Sequence, residues 1–213
     1  MTAGPTYEDI DPARFIGNRS SGKMGFAIAD VAAQLGAEVV LVSGPVNLPT
    51  PANVTRVDVR SAEQMYDAVM ANLPATFYIG AAAVADFRPK RYASIKIKKQ
   101  DEDDELSLEL EQTKDILKAV ANHPQRPDLV CGFAAETHDV EGYAQGKLER
   151  KNLDLIAANR VGIPNSGFES DNNAILVFTR GVEGHQSYGT ASKADIARSL
   201  LKYMAQLHSQ RQG

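Results

Sequence analysis

Short runs of β-branched residues alternate with stretches of helical periodicity along most of this sequence. Residues 22–36 carry apolar side chains on one helical stripe and end in Gly36, a residue typical of helix ends. The run 38–44 follows and is almost continuously apolar, as in a strand buried on both faces of a parallel sheet. Residues 54–59 alternate as a shorter strand, so this part of the chain predicts helices interleaved with strands.

The same alternation continues towards the carboxyl end. Ser61 and Gln64 have the spacing of a capping box and predict a helix over 62–72. Thr113 is placed to cap a helix that runs to His123, and an amphipathic helix is predicted to begin near Ser192. Further predicted elements are a strand with its following loop at 76–86, strands at 128–136, 153–158 and 173–179, and a charged helix at 139–151. The repeated order predicts an α/β fold with a Rossmann-like, doubly wound and mostly parallel sheet.

Two segments break this pattern, because 95–99 and 106–112 both alternate with a period of two around the acidic stretch 101–105. They predict an antiparallel hairpin inserted into the α/β order. We expect residues 1–213 to form a single domain, since no repeat, linker or low-complexity segment interrupts them. A central strand needs about five residues, yet the Gly-Pro turn follows residue 3 directly. We therefore expect Met1 to mark a cut from a longer natural chain.

The composition is that of an ordinary globular protein and narrows the classes of function. Of 213 residues, 43% are hydrophobic and 23% are charged, and the net charge of −4 provides no basic field for nucleic acid. The single cysteine, Cys131, excludes an internal disulfide and favours a reducing cytoplasm. No apolar stretch approaches the ~18 residues of a membrane helix, and the histidines lack the spacing of a zinc site. We expect a cytoplasmic protein without nucleic-acid or membrane partners.

Loops rich in small and polar residues follow the predicted strands, at the edge where doubly wound sheets bind ligands. They span 2–6, 17–25, 81–87, 132–137 and 157–162. The second loop nearly matches a phosphate loop, with Gly22 and Lys23 in place, but Met24 stands where a magnesium-binding hydroxyl is required. Its Ser-Ser-Gly turn before a helix still offers unpaired N–H groups to an anion. The alternative is a plain helix cap by Ser20 or Ser21.

Other side chains have two interpretations on sequence grounds. Lys96 and Lys98 lie on one face of a predicted strand, where they either bind a polyphosphate or protect an exposed strand edge. Asp86 and Phe133 follow buried strands and either contact a ligand or serve as a helix cap and a core residue. Cys131 stands within an apolar strand and is interpreted as core packing.

Taken together, these segments resemble one family over nearly the whole chain and in order. The matching segments are TAGPT at 2–6, DPARFIGNRSSGKMG at 11–25, AAAVADF at 81–87, KIKK at 96–99, KDIL at 114–117, GFAAET at 132–137, Lys147 with Lys151, KNLDLIAAN at 151–159 and GFESDNN at 167–173. The set is similar to the phosphopantothenoylcysteine synthetase family, CTP-dependent bacterial type. That resemblance implies a ligase of coenzyme A biosynthesis. It would condense 4′-phosphopantothenate with L-cysteine through an acyl-cytidylate, converting CTP into CMP and pyrophosphate.

The resemblance also implies which residues form the site. Asn18 would contact the acyl group, and Lys96 would lie on a mobile flap over the triphosphate; both would be catalytic. Residues implied at the CTP site are Ala82, Ala83, Asp86, Lys96, Lys114, Asp115, Ile116, Leu117, Phe133, Lys147 and Lys151. The phosphopantothenate side would consist of Asn18, Ser20, Ser21 and Gly22. Mg²⁺ would be carried by the triphosphate, without a protein ligand that the sequence identifies.

The family resemblance further implies a homodimer and, in many bacteria, fusion behind a flavin-dependent decarboxylase domain. Two other classes of protein compete with the ligase. A nicotinamide-dependent reductase is disfavoured, because no GxGxxG follows the first strand and no acidic residue ends the second, where 42–44 read Val-Ser-Gly. A non-catalytic nucleotide-binding module is compatible with the composition but leaves Asn18 and the lysine run unexplained.

Overall fold

A mixed sheet forms the centre of the computed structural model, which describes residues 1–98, 105–136, 139–160 and 170–212. Within those ranges the strands are β1 (Thr2–Ala3), β2 (Tyr7–Asp11), β3 (Arg14–Gly17), β4 (Val39–Ser43), β5 (Val54–Asp58), β6 (Phe77–Gly80), β7 (Phe87–Pro89), β8 (Leu110–Gln112), β9 (Leu129–Glu136), β10 (Leu155–Arg160), β11 (Asn172–Thr179) and β12 (Gln186–Ser192). The helices there are α1 (Lys23–Gln34), α2 (Ala62–Met70), α3 (Ile116–Ala121), α4 (Val140–Arg150) and α5 (Lys193–Gln212).

The strand order of the central sheet confirms the predicted doubly wound α/β fold. The order is β12-β11-β10-β9-β6-β1-β4-β5, and the six strands from β10 to β5 run parallel. Strands β11 and β12 extend one edge in the antiparallel sense. From β1 the chain winds outward through β4 and β5, then returns to build the other half from β6. The winding direction therefore reverses between β1 and β6, where such sheets leave a crevice.

Helices cover both faces of the sheet and bury two apolar layers. Helices α1 and α5 lie on one face and form an apolar layer with the strands, in which Ile28, Leu41 and Leu200 are fully buried. Helices α2, α3 and α4 cover the opposite face, around buried residues that include Met65 and Ile156. Because both faces are covered, the central strands are apolar throughout, which is why β4 and β9 were predictable from continuous apolar runs.

Two antiparallel hairpins project from the sheet, and one of them corrects a prediction. Strand β2 pairs with β3, a hairpin that the sequence pattern did not predict. Strand β8 pairs with β7, which confirms an inserted antiparallel hairpin. The predicted pairing of 95–99 with 106–112 within it is wrong, because β7 takes the place of 95–99. The segment 95–98 forms no strand, because the side chain of Asp11 accepts the N–H of Ile97 and Arg14 donates to its carbonyl oxygen. Residues 99–104 lie outside the described residues.

The starts of the helices show which sequence signals predicted the capping residue correctly. The predicted Ser61–Gln64 capping box is present at α2, and Ser192 accepts the N–H of Asp195 at the start of α5. The predicted cap by Thr113 is wrong, since its hydroxyl donates to the Ala85 carbonyl oxygen at 2.6 Å. Asp115 caps α3 instead, accepting the N–H of Lys118 at 3.1 Å. Among the described residues, no helix is both long enough and apolar enough to cross a membrane.

Candidate active site

A cleft of about 860 Å³ opens at the carboxyl ends of β1, β6 and β9, where the winding of the sheet reverses. Its walls come from the loop before α1, the loop after β6, the segment before α3 and the end of α4. Of the residues expected in the site, those that line the cleft are Asn18, Ser20, Ser21, Gly22, Ala82, Ala83, Asp86, Lys114, Asp115, Ile116, Leu117, Phe133, Lys147 and Lys151. Lys96 is exposed and does not line it.

Small residues in the loop after β6 bring the backbone to the cleft surface. The loop continues the parallel pairing of β1 and β6, since the N–H of Ala81 donates to Thr2 and that of Ala83 donates to Gly4 at 2.8 Å. The N–H of Ala85 donates to the Thr6 hydroxyl at 3.0 Å. This loop is therefore fixed at both ends, and its methyl side chains leave space that larger side chains would fill.

Asn18 is held at the mouth of the cleft by its own side chain. Its amide Nδ2 donates to the carbonyl oxygen of Val84 at 2.9 Å, which ties the end of β3 to the loop after β6. Close approach at the preceding position requires glycine, because a Cβ on Gly17 would lie 2.8 Å from the carbonyl oxygen of Thr6. In the part of the chain that is described, the Asn18 amide makes this hydrogen bond alone. Its oxygen and second N–H therefore have no hydrogen-bond partner among the described residues.

The start of α1 differs from a serine-capped helix. Gly22 is the N-cap in a left-handed conformation, at φ +75°, and no side chain caps the helix. The Ser20 hydroxyl accepts the N–H of Gly22 at 3.3 Å, and the Ser21 hydroxyl accepts the N–H of Lys23 at 3.4 Å. Helix α1 also packs tightly on β1, since a Cβ on Gly25 would lie 2.5 Å from the Cβ of Ala3. Residues 22–25 line the cleft, so the start of α1, the end of a helix that favours anions, lies at its wall.

Lysines gather at the opposite end of the cleft. Lys151 Nζ lies 3.0 Å from an oxygen of Asp115, so the residue that caps α3 also tethers the end of α4. Lys114 Nζ lies 4.5 Å from the centre of the Tyr66 ring and 3.8 Å from Glu63. Lys147 lines the same end. Ammonium groups can complement a polyphosphate, and here Lys114 and Lys151 are each also close to a carboxylate.

A second group of polar residues lines the cleft and was not predicted as part of the site. Lys23 forms an ion pair with Asp171 at 2.6 Å, which lowers the pKa of that carboxyl group. Lys193, at the start of α5, is 93% buried and donates to the carbonyl oxygen of Ser170. Burial lowers the pKa of Lys193, and the positive charge of Lys23 acts in the same direction. The available signal was the Asp-Asn-Asn of 171–173, whose last residue faces the cleft.

The carboxylates at the cleft bear on how a metal ion would be held. Among the described residues, no three His, Cys, Asp or Glu side chains converge as a metal site. Asp115 is engaged with Lys151, whereas Asp86 is exposed and lines the cleft without an ion pair in those residues. Magnesium prefers six oxygen ligands and usually combines one or two carboxylates with phosphate oxygens and water. With Asp86 as the unpaired carboxylate among the described residues that line the cleft, the donor set fits a magnesium ion only if most of its other ligands come from outside the protein.

The protein therefore has a doubly wound α/β fold, and its cleft lies where the winding direction of the sheet reverses, the usual place for a ligand site in this class of protein. Residues 1–207 match the model of the DNA/pantothenate metabolism flavoprotein C-terminal domain, and the chain belongs to this family. It is 54% identical over 180 residues to the coenzyme A biosynthesis bifunctional protein CoaBC of Escherichia coli K12, covering 84% of this chain and 44% of that protein.

Other comparisons agree with this assignment. The CoaBC protein of Vibrio vulnificus YJ016 is 49% identical over 208 residues, which are 97% of this chain and 51% of that protein. The chain thus spans about half the length of the curated relatives it matches. A crystal structure of a CoaBC C-terminal domain superposes with a TM-score of 0.80 at 41% identity, covering 98% of this chain and 94% of that one. A Cab2 mutant in complex with phosphopantothenate-cysteine shares the fold, at a TM-score of 0.79, 15% identity and coverages of 100% and 87%.

Proposed function

We propose that this chain is a CTP-dependent phosphopantothenate–cysteine ligase of coenzyme A biosynthesis, acting with Mg²⁺. The observation that carries the proposal is that a lysine-lined end and the start of α1 open onto the same cleft. A ligase that activates one substrate with a nucleotide needs both in one cavity, so that the reacting atoms meet in the right orientation. The identity to bifunctional coenzyme A biosynthesis proteins supports this reaction.

The lysine-lined end would bind CTP. Lys114, Lys147 and Lys151 complement the charge of a triphosphate, and their placement on two elements surrounds it from two sides. The ring of Phe133, at the cleft wall, would pack against the cytosine base. The small Ala82 and Ala83 leave the backbone of their loop accessible to the nucleotide. Their replacement by large residues would therefore obstruct binding.

The other end would bind phosphopantothenate. Asn18 holds an uncharged amide at the mouth of the cleft and can donate to a carboxylate without adding charge. The Ser20–Gly22 turn and the first turn of α1 line the cleft at the same end, where the start of a helix favours an anionic group. A protein of the same fold was solved with phosphopantothenate-cysteine bound, which supports a substrate of this class.

The proposed chemistry has two steps. A carboxylate oxygen of phosphopantothenate attacks the α-phosphorus of CTP, and the bond to pyrophosphate breaks, leaving an acyl-cytidylate. The amine of cysteine then attacks the acyl carbon and loses a proton, and CMP departs as the amide forms. Bound magnesium supplies charge neutralisation for the triphosphate. Asn18 would stabilise the oxyanion that develops in the second step, a type of contact worth about 2.7–4 kcal/mol in other enzymes.

Lys96 would assist the first step by stabilising the departing pyrophosphate. Its side chain is exposed and is not among the residues that line the cleft. The contribution would therefore be made with CTP bound, when the ammonium group can extend towards the phosphates. An interaction made chiefly in the transition state raises the rate more than it raises nucleotide affinity.

We extend the proposal to assembly. Large apolar side chains are exposed on and beside the two hairpins, among them Phe15, Phe87, Tyr92, Ile95 and Leu106, of which Ile95 is 77% exposed. Covering them in a symmetric homodimer would remove this apolar surface from water. Because the relatives are bifunctional, we also propose that residues 1–213 form one ligase domain, joined in the natural protein to a flavin-dependent decarboxylase domain.

The test is to incubate the protein with CTP, phosphopantothenate, cysteine and Mg²⁺ and to measure pyrophosphate and the amide product. The proposal predicts pyrophosphate that depends on phosphopantothenate, and amide that also requires cysteine. Asn18→Asp places a negative charge beside the carboxylate and should lower the rate on the order of a hundredfold. A protein that is stabilised by CTP but releases no pyrophosphate would instead be a nucleotide-binding module.

A further inference from the structure

A cluster of three charged side chains at the cleft takes no part in the proposed CTP site. It consists of Lys23 at the start of α1, Asp171 just before β11 and Lys193 at the start of α5, and we call it the lysine–aspartate cluster. Both lysines line the cleft. Three elements that are distant in sequence therefore bring opposite charges together at the wall of the cleft.

Contacts to side chains and to the backbone hold the cluster together. Lys23 Nζ lies 2.6 Å from Asp171 Oδ1. The N–H of Lys193 donates to the carbonyl oxygen of Asp171 at 3.1 Å, and the buried ammonium group of Lys193 donates to that of Ser170. Asp171 is thus attached to α1 through its carboxylate and to α5 through its peptide group, so it links the two lysines.

The charges of the cluster act on one another. The hydrogen bond and ion pair with Lys23 lower the pKa of Asp171 below its ordinary value, so the carboxylate is ionised at neutral pH. Burial is the main reason that the pKa of Lys193 is lowered, and Lys23 lowers it further, whereas Asp171 raises it. A phosphate group placed here would meet the like charge of Asp171, which is unfavourable. A ligand that carries both signs of charge matches the cluster better.

The cluster lies at the acyl end of the cleft. Lys23 directly follows the Ser20–Gly22 turn, and Asn18 lines the same cavity. The buried Asn173 belongs to this wall too, and its amide donates to Met24 Sδ at 3.6 Å. A ligand held by the cluster would therefore share the cavity with the acyl group that the second step of the proposed reaction attacks.

We propose that the lysine–aspartate cluster binds the substrate cysteine through its α-amino acid groups. The carboxylate of cysteine pairs with Lys23 and Lys193, and its ammonium group is recognised by Asp171. This inference rests on the proposed ligase function, which requires cysteine to enter the cleft. Two views compete with it: that the cluster binds the terminal phosphate of phosphopantothenate, and that it only fastens α5 to α1.

Removal of each ammonium group tests this assignment. Lys193→Met and Lys23→Met keep most of the side-chain length and remove the charge. Because Lys193 is buried and the Lys23 side chain is 36% exposed, Lys23→Met is expected to fold even if Lys193→Met does not. The matched control is Lys202→Met, on an exposed position of α5 that does not line the cleft. Cysteamine serves as a second nucleophile, since it has the amine and the thiol of cysteine but no carboxylate.

The measurement is kcat/KM for amide formation with cysteine and with cysteamine, at saturating CTP and phosphopantothenate. The parent protein should prefer cysteine on the order of 100-fold or more, because a site that pairs with a substrate group rejects the analogue that lacks it. Each lysine variant should lower kcat/KM for cysteine about 10- to 100-fold, the range for loss of a charged hydrogen bond, and leave that for cysteamine nearly unchanged. Pyrophosphate release without cysteine should stay at the parent rate, and Lys202→Met should match the parent in every assay.

The other outcomes overturn the inference and show whether the proposed function fails with it. A parent protein that releases no pyrophosphate from CTP and phosphopantothenate contradicts the proposed function itself. If the parent forms the amide but uses cysteamine as well as cysteine, the ligase stands and the cluster does not recognise the carboxylate. If the folded variants keep the parent preference, or lose both nucleophiles equally, the cluster is structural only. A raised KM for phosphopantothenate in the cysteine-free assay would assign the cluster to the phosphate instead.

Discussion

At the scale of single residues, the least reactive functional group is the thiol of Cys131. The residue is 0% exposed within β9, and its side chain belongs to the core beneath α1 and α5. Burial raises its pKa to about 12, so the nucleophilic thiolate is scarce at neutral pH. The apolar run around it was sufficient to predict a core role, because a local pattern determined the burial.

Because Cys131 is buried, we expect the folded protein to resist thiol reagents. The folded protein at pH 7–8 should react with a disulfide reagent at a rate limited by unfolding, and denaturant should expose one thiol per chain. Addition of CTP should slow the native reaction further, since a ligand that binds the folded state suppresses opening. Labelling of the native protein as fast as a free thiol would contradict the described burial.

At the scale of elements, the placement of α1 on β1 determines the amide-lined end of the cleft. Gly25 permits this approach, because an added Cβ would lie 2.5 Å from Ala3 Cβ and 3.2 Å from Ala3 Cα. Glycine in a helix costs about 1 kcal/mol relative to alanine. Overpacking a tight contact costs about 1–3 kcal/mol. The cost of overpacking is the larger of the two, so packing rather than helix propensity explains glycine at this position.

Gly25→Ala should consequently lower the free energy of unfolding by up to about 2 kcal/mol, despite its gain in helix propensity. It should also weaken phosphopantothenate binding, because relief of the clash moves the first turn of α1. Gly189→Ala in β12 is the control, since its added methyl group meets nothing within 4 Å and should change stability by less than about 0.5 kcal/mol. Urea denaturation measures both. Equal stability of the two variants would show that the α1–β1 contact relaxes freely.

At the scale of the whole molecule, the sequence predicted the sheet and the loops that meet at its carboxyl edge. These features follow from local periodicity and from the rule that strand ends converge in doubly wound folds. It did not predict the attachment of Ile97 to Asp11, which are far apart in sequence, and it therefore paired 95–99 with the wrong strand. Lys193 was missed because its burial depends on how α5 folds back against α1. Pairings set by such distant contacts leave no periodic signal.

The proposed CTP site also predicts a nucleotide preference, which the protein as a whole should report through its stability. With Mg²⁺, CTP should raise the melting temperature more than ATP at equal concentration, because stabilisation grows with affinity for the folded state. Lys114→Ala should reduce both shifts, since it removes a charge that any triphosphate meets. Differential scanning calorimetry measures these shifts. Equal stabilisation by CTP and ATP would remove the assignment of a cytidine site.

The central claim is that the cleft joins CTP to the carboxylate of phosphopantothenate before cysteine reacts. Phosphopantothenate labelled with heavy oxygen in both carboxylate positions tests it most directly, with mass spectrometry of the nucleotide product after turnover with CTP and cysteine. The account predicts one heavy oxygen in the phosphate of CMP and the other in the amide carbonyl, because the attacking oxygen stays with phosphorus when the amine displaces it. Heavy oxygen in pyrophosphate or inorganic phosphate, with none in CMP, would contradict the acyl-cytidylate and the proposed function with it.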